Sequence, residues 1–404
     1  MKKLVYYTNS RLLIILIAAA AFLLQGCKKD ASSSTGIPAI SAIRNYVAHP
    51  GDSLLSSAGT GQWIVISGKN LKGALHINID GVAASFNDAW FSDTSAIVLI
   101  PAVIAFPSVP SSKLNTIEYI TIHGQTTFSF PIVAPAPTIS GISNESANVG
   151  DSVKINGFSF FFIKNVTFAG KTITDYTASN DGTTITLAVP SGITTGGPVS
   201  VTTATGSVTT VYNVEDFVSG VFCNFDAINT YPWGSGTSNS SYPGNTGYFD
   251  VMGATNLPAG GTDWYDYPHS INLNASQWVP ASDIAASLDS YAVKFEINVT
   301  KPWSNGTIYI LANYNFSNMA AYNPWKNADG SKTPFTTKGW QTVTIPLSNF
   351  IVKDGVAGLP PASIAALTGA SGNTGMEFMF MNYTKDPVVL FEAAIDNIRV
   401  VKIK

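Results

Sequence analysis

The chain has 404 residues, of which 22 are Lys or Arg and 25 are Asp or Glu, giving a net charge of -3 at neutral pH. Charged residues make up only 12% of it, about half the share usual in soluble domains, and no basic patch is visible for a phosphate backbone, which argues against nucleic acid as a ligand. Aromatic residues reach 11%, and a surface low in charge but rich in Trp and Tyr suits an uncharged, ring-shaped ligand such as a neutral sugar.

Residues 1–26 read as a secretory signal: Lys2, Lys3 and Arg11 precede an unbroken apolar run from Leu12 to Leu24, too short to span a bilayer. Leu24-Gln25-Gly26-Cys27 resembles the lipobox of bacterial lipoproteins. That resemblance implies lipidation of Cys27, a mature chain beginning there, and stable membrane attachment through several acyl chains. Lys28-Lys29-Asp30 then resembles the charged surface-export tags of glycan-foraging Gram-negative bacteria. With Cys27 assigned to lipid, Cys223 has no partner and reads as a buried apolar thiol beside Phe222 and Phe225.

Residues 27–36 form a Ser/Thr-containing tether, after which one pattern appears twice. Pro38-x-Ile40-x-x-Ile43 returns as Pro137-x-Ile139-x-x-Ile142, and Gly51-Asp52-Ser53 as Gly150-Asp151-Ser152. Ile64-Val65-Ile66-Ser67-Gly68 returns as Val153-Lys154-Ile155-Asn156-Gly157, and the turn-and-strand segments ending in Pro101 and Pro190 also match. Short β-branched runs between Gly, Asp and Asn turns predict two all-β sandwiches, over residues 37–134 and 135–214. The order of these motifs resembles immunoglobulin-like TIG (IPT) domains, which implies a spacer or stalk. Pro131, Pro135 and Pro137 fix φ at the joint between the copies and predict a semi-rigid hinge.

Residues 215–404 differ in character and hold six of the eight tryptophans. Alternation in Tyr291–Val299 places Tyr291, Val293, Phe295, Ile297 and Val299 on one face and Lys294, Glu296 and Asn298 on the other. Met376–Tyr383 is apolar on both faces, as a central strand covered on both sides would be, and Pro360–Leu367 is the one plausible short helix. The segment is long enough for a larger jelly-roll β-sandwich with its own core.

A sugar ring lays its C–H face on an aromatic face while its hydroxyls meet polar groups at the rim. Three clusters fit. Tyr231-Pro232-Trp233-Gly234 opens a Gly/Ser/Asn-rich stretch, Asp263-Trp264-Tyr265-Asp266-Tyr267 crowds aromatics among acids, and Tyr322-Asn323-Pro324-Trp325-Lys326 is bounded by turn residues. Trp303, in Pro302-Trp303-Ser304-Asn305-Gly306, fits a platform or a core equally and stays a candidate. Trp340 lies in an alternating strand and Trp278 precedes a Val-Pro turn, so both read as core.

Lipobox, tandem TIG-like units and an aromatic-rich β domain with Gly339-Trp340-Gln341-Thr342-Val343 and Ile395-Asp396-Asn397-Ile398-Arg399-Val400 together resemble surface glycan-binding lipoproteins of polysaccharide-utilisation systems. The likeness is to the type with a C-terminal xyloglucan-binding domain. It implies a cell-surface, outer-membrane lipoprotein that captures xyloglucan or a related β-glucan or hemicellulose for uptake. It also implies an outer-membrane glycan importer and its binding lipoprotein as partners. In that family one aromatic early in the terminal domain and an adjacent pair about thirty residues later carry the ligand. Trp233 and the pair Trp264-Tyr265 occupy matching places. The better-known relatives carry three stalk units where this chain has two, which leaves the exact ligand open.

Hydrolysis would need two carboxylates about 5–9.5 Å apart across the glycosidic bond. Asp263, Asp266, Glu296, Glu377 and Glu392 are available, but no nucleophile elbow, metal-binding His pair or phosphate loop occurs. A binder rather than an enzyme is expected, without cofactor; a structural calcium ion is left open. An adhesin or structural surface protein and a glycoside-active enzyme are the alternatives.

Overall fold

The computed structural model describes residues 35–233, 241–244, 247–260, 268–351 and 358–404. The signal, Cys27 and most of the tether lie outside the described residues, as do Trp264 and Tyr265. The fold is all-β, with two compact units: one runs to Val133 without Ala105–Ser108, and the other holds that short segment and Ala134–Lys404.

The first unit pairs Ala39–Asn45, Trp63–Lys69, Ser95–Leu99 and Ser85–Phe86 in one antiparallel sheet. A second sheet runs Val82–Ala83, Ala74–Ile79, Thr116–Thr121 and Gly124–Ser129. Period-two patterning sends Ile64, Ile66, Ala96 and Val98 inward from one sheet and Ile77, Ile79, Ile117 and Tyr119 from the other, all buried.

The duplication read from sequence is a duplication of topology. In the second unit Thr138–Ile142, Ser152–Phe158, Thr184–Ala188 and Tyr176–Ala178 repeat the first order, and Lys171–Ile173, Ile163–Phe168, Ser200–Thr203 and Ser207–Thr209 the second. Even the irregularities recur, with a bulge between Ile40 and Ala42 in one copy and between Ile139 and Gly141 in the other. The repeated Gly68 and Gly157 face these bulges, where a Cβ would overlap the carbonyl oxygens of Ala39 and Thr138.

The rest of the second unit is a larger sandwich. One sheet contains Val221–Cys223, Val388–Lys402, Tyr291–Asn298 and Gln341–Pro346, with Asp250–Leu257 also paired to Val388–Lys402. The other runs Ser270–Gln277, Asn373–Met381, Thr307–Ala312 and Met319–Tyr322. Between them lies a core that includes Phe222, Val293, Phe295, Ile297, Phe378, Phe380, Ile395 and Val400. Asn373–Met381 is central and buried on both faces, and the short helix forms at Ile364–Thr368, capped by Ser363 Oγ accepting from the Ala366 N–H.

Tyr291–Asn298 is buried at every position, although alternate residues are polar. Its polar face is covered by the preceding sandwich. Glu145 accepts from Lys294 Nζ at 2.6 Å and from Arg399 Nη2 at 2.8 Å, while Arg399 Nη1 reaches Glu296 at 2.8 Å. The Lys294 ammonium sits 3.2 Å from the ring centroid of Tyr212. Backbone contacts seal the joint, with Thr342 N donating to Ser143 O at 2.8 Å and Glu145 N to Thr342 Oγ1 at 2.8 Å.

Candidate glycan-binding site

Trp233 stands on a turn that the core holds from one side. Asn229 Oδ1 accepts from the Tyr231 N–H, Thr230 Oγ1 donates to Phe222 O, and the Tyr231 ring packs edge-on against Phe225 at 5.8 Å. Tyr231 is buried, Pro232 fixes the following φ, and two residues after the anchor the Trp233 side is 75% exposed. Tyr242 is buried in one cluster with Phe249 and Trp340. Tyr248, also exposed, is placed by its backbone N–H donating to Asp226 Oδ1.

The ends of the second cluster are fixed although its middle lies outside the described residues. Gly260 N donates to Thr384 O at 3.2 Å, Asn382 Nδ2 to Pro258 O at 2.9 Å, and Phe380 N to His269 O at 2.8 Å.

The third cluster is corrected by the structure. Trp325 and Trp303 are 3% and 1% exposed and belong to the core, and half-buried Tyr322 packs on it with them. Trp303 meets Tyr322 at 5.8 Å and Phe391 at 4.9 Å between ring centroids. The turn residues around these tryptophans keep the backbone at the surface while the indoles point inward. The same turn supplies acceptors: Trp303 Nε1 donates to Asn305 O at 2.8 Å and Trp325 Nε1 to Gly306 O at 2.6 Å. Trp278 and Trp340 are buried as expected, and Cys223 is a free, fully buried thiol whose pKa burial raises.

Residues 215–402 match the family model for the surface glycan-binding protein B xyloglucan binding domain. The terminal domain belongs to that family. The chain is also similar in fold to surface glycan-binding protein PbSGBP-B from Prevotella bryantii, with a TM-score of 0.64, 23% identity, and coverage of 91% of this chain and 99% of that one. SGBP-B from a complex xyloglucan utilization locus in Bacteroides uniformis aligns over 91% and 99% of the two chains at 17% identity and a TM-score of 0.42. An IPT/TIG domain-containing protein of Bacteroides ovatus is 26% identical over 227 residues, covering 52% of this chain and 46% of that protein. The chain thus spans about half the length of the curated relative it matches.

Sequence reasoning missed one aromatic pair in the surface glycan-binding protein B domain. Tyr309 and half-exposed Tyr383 meet at 5.8 Å on the outer side of the second sheet, beside Met379, Met381 and Phe316. Both sit in or at the end of near-continuous apolar runs that signal packing, so nothing local set them apart. Four acids of this domain, Asp250, Glu296, Glu377 and Asp396, are buried. Glu296 is held by Arg399, and Asp396, pushed up to about 9 by burial, accepts from Asn397 N and Nδ2. Glu392 is paired with Tyr242 Oη at 2.5 Å and Lys301 at 2.9 Å, and these partners hold its pKa below the usual carboxylate range.

Proposed function

We propose that the chain is a non-catalytic cell-surface lipoprotein that captures a neutral polysaccharide, xyloglucan or a related β-glucan or hemicellulose, on an aromatic platform formed by Trp233, Trp264 and Tyr265. The observation that carries this reading is the Trp233 side chain, 75% exposed on a turn anchored by buried Tyr231, in a domain of the surface glycan-binding protein B family. An exposed aromatic face offers a surface for the C–H face of a sugar ring, and the low charge of the chain suits an uncharged ligand. Attachment is through lipid on Cys27 to the outer membrane, facing outward, with the two Ig-like units as stalk. An outer-membrane glycan importer and its binding lipoprotein are the partners that would receive the captured chain.

Of the acids singled out in the sequence, Glu296 and Glu392 are ion-paired and Glu377 is buried, which fits binding without turnover. Isothermal titration of the full chain against soluble plant and microbial glycans, with reducing ends assayed in the same samples, tests the proposal. Heat without new reducing ends is expected. New reducing ends would make the protein an enzyme, and silence across the panel would leave an adhesin.

A further inference from the structure

The first unit carries an aromatic row that its fold does not require. Tyr46 and Trp63 meet at 6.1 Å between ring centroids and Trp63 and Trp90 at 5.9 Å, with ring planes turned 45° and 56° from one to the next. Tyr46 and Trp90 are 54% and 50% exposed, and Trp63 lies half-buried between them. The row crosses the outer side of the sheet, since Ile64 and Ile66 on the same strand point into the core.

The second copy of the sandwich is an internal control. Its ladder pairs Ser152 with Ala188 and Lys154 with Thr186, where the first copy pairs Trp63 with Leu99 and Val65 with Ile97. By the same register Glu145 stands where Tyr46 does, and residues 179–183, Ser-Asn-Asp-Gly-Thr, replace the turn that holds Trp90. In that copy the face is polar and Glu145 is spent on the joint to the terminal domain. The sandwich folds with either surface, so the aromatic row of the first copy answers to something other than folding.

We infer that Tyr46, Trp63 and Trp90 form a second contact site for neutral polysaccharide, on the first Ig-like unit; the inference rests on the reading that such a glycan is this protein's ligand. Flat rings in a row, each rotated against its neighbour, suit successive sugar rings of a twisted chain. Near Tyr46, Arg44 and Asp52 neutralise each other, with Arg44 Nη2 bonded to Asp52 at 2.5 Å and His49 to the same carboxylate at 3.2 Å.

Affinity electrophoresis of the full chain through gels containing soluble xyloglucan separates this inference from the terminal-domain reading. The Trp233→Ala/Trp264→Ala chain should still be retarded, less than the parent. Adding Trp90→Ala should abolish what remains, while Trp90→Phe, which keeps a flat ring, should retain part of it. Trp90 is half-exposed, so thermal unfolding should be unchanged and a folding defect would be seen directly. Retardation already lost in the double variant, or surviving Trp90→Ala, overturns the inference and leaves the terminal platform standing. A parent chain that is not retarded at all removes both.

Discussion

Glu377 stands on the central strand Asn373–Met381 with both carboxylate oxygens buried and without a hydrogen-bond partner. Burial lifts its pKa from the ordinary 4.5 to about 7, so the folded chain keeps a proton there that the unfolded chain releases. Stability from this group is therefore full at pH values below about 4.5 and falls as pH rises through 7. The difference amounts to roughly 3 kcal/mol. Glu377→Gln, which stays neutral, should be more stable than the parent at pH 8 and lack that decline; chemical denaturation across pH 4 to 8, as a rough range, would show it. The tryptophans divide at the same scale. Trp233, Trp303 and Trp325 each follow a proline in a turn-rich stretch, and the local sequence does not distinguish them. Their fates depend on distant partners, the Asn305 and Gly306 carbonyls and the Phe391 ring for the buried pair. Trp303→Ala should cost about 3–5 kcal/mol of stability, whereas Trp233→Ala should leave unfolding unchanged and weaken glycan binding.

At the scale of strands and turns, the sequence is most informative where geometry is local. The two copies declare their strands by alternation and their tight hairpins by glycine, as in Asp80-Gly81 and Ala169-Gly170, both with φ near +49° and then +75° or +73°. The bulge glycines belong to the same class of signal. Gly157→Ala would drive a methyl into the Thr138 carbonyl and should destabilise by about 1–3 kcal/mol, measured as a loss of melting temperature in the full chain. The polar face of Tyr291–Asn298 was not legible in this way. Alternation separates its two faces but cannot say that Lys294 and Glu296 meet charges from a different sandwich, because the partners are far away in sequence.

For the whole molecule, that joint converts two sandwiches into the compact body Ala134–Lys404. Removing Glu145 from this buried ionic set leaves Lys294 without its ion-pair partner, while Arg399 keeps Glu296. Glu145→Ala would leave Lys294, whose pKa burial already lowers to about 8, and Arg399 facing each other, and should cost about 3–5 kcal/mol in denaturant unfolding. These contacts join the terminal sandwich to the preceding one. The duplication and the aromatic wealth of the terminal domain were legible in the chain; which aromatics face solvent was legible only in part.

Titration of the folded Trp264→Ala chain with soluble xyloglucan puts the platform to its most direct test. Loss of the binding heat, or weakening by several orders of magnitude in Kd beside an unchanged melting curve, is the predicted result. An affinity equal to that of the parent chain would contradict it.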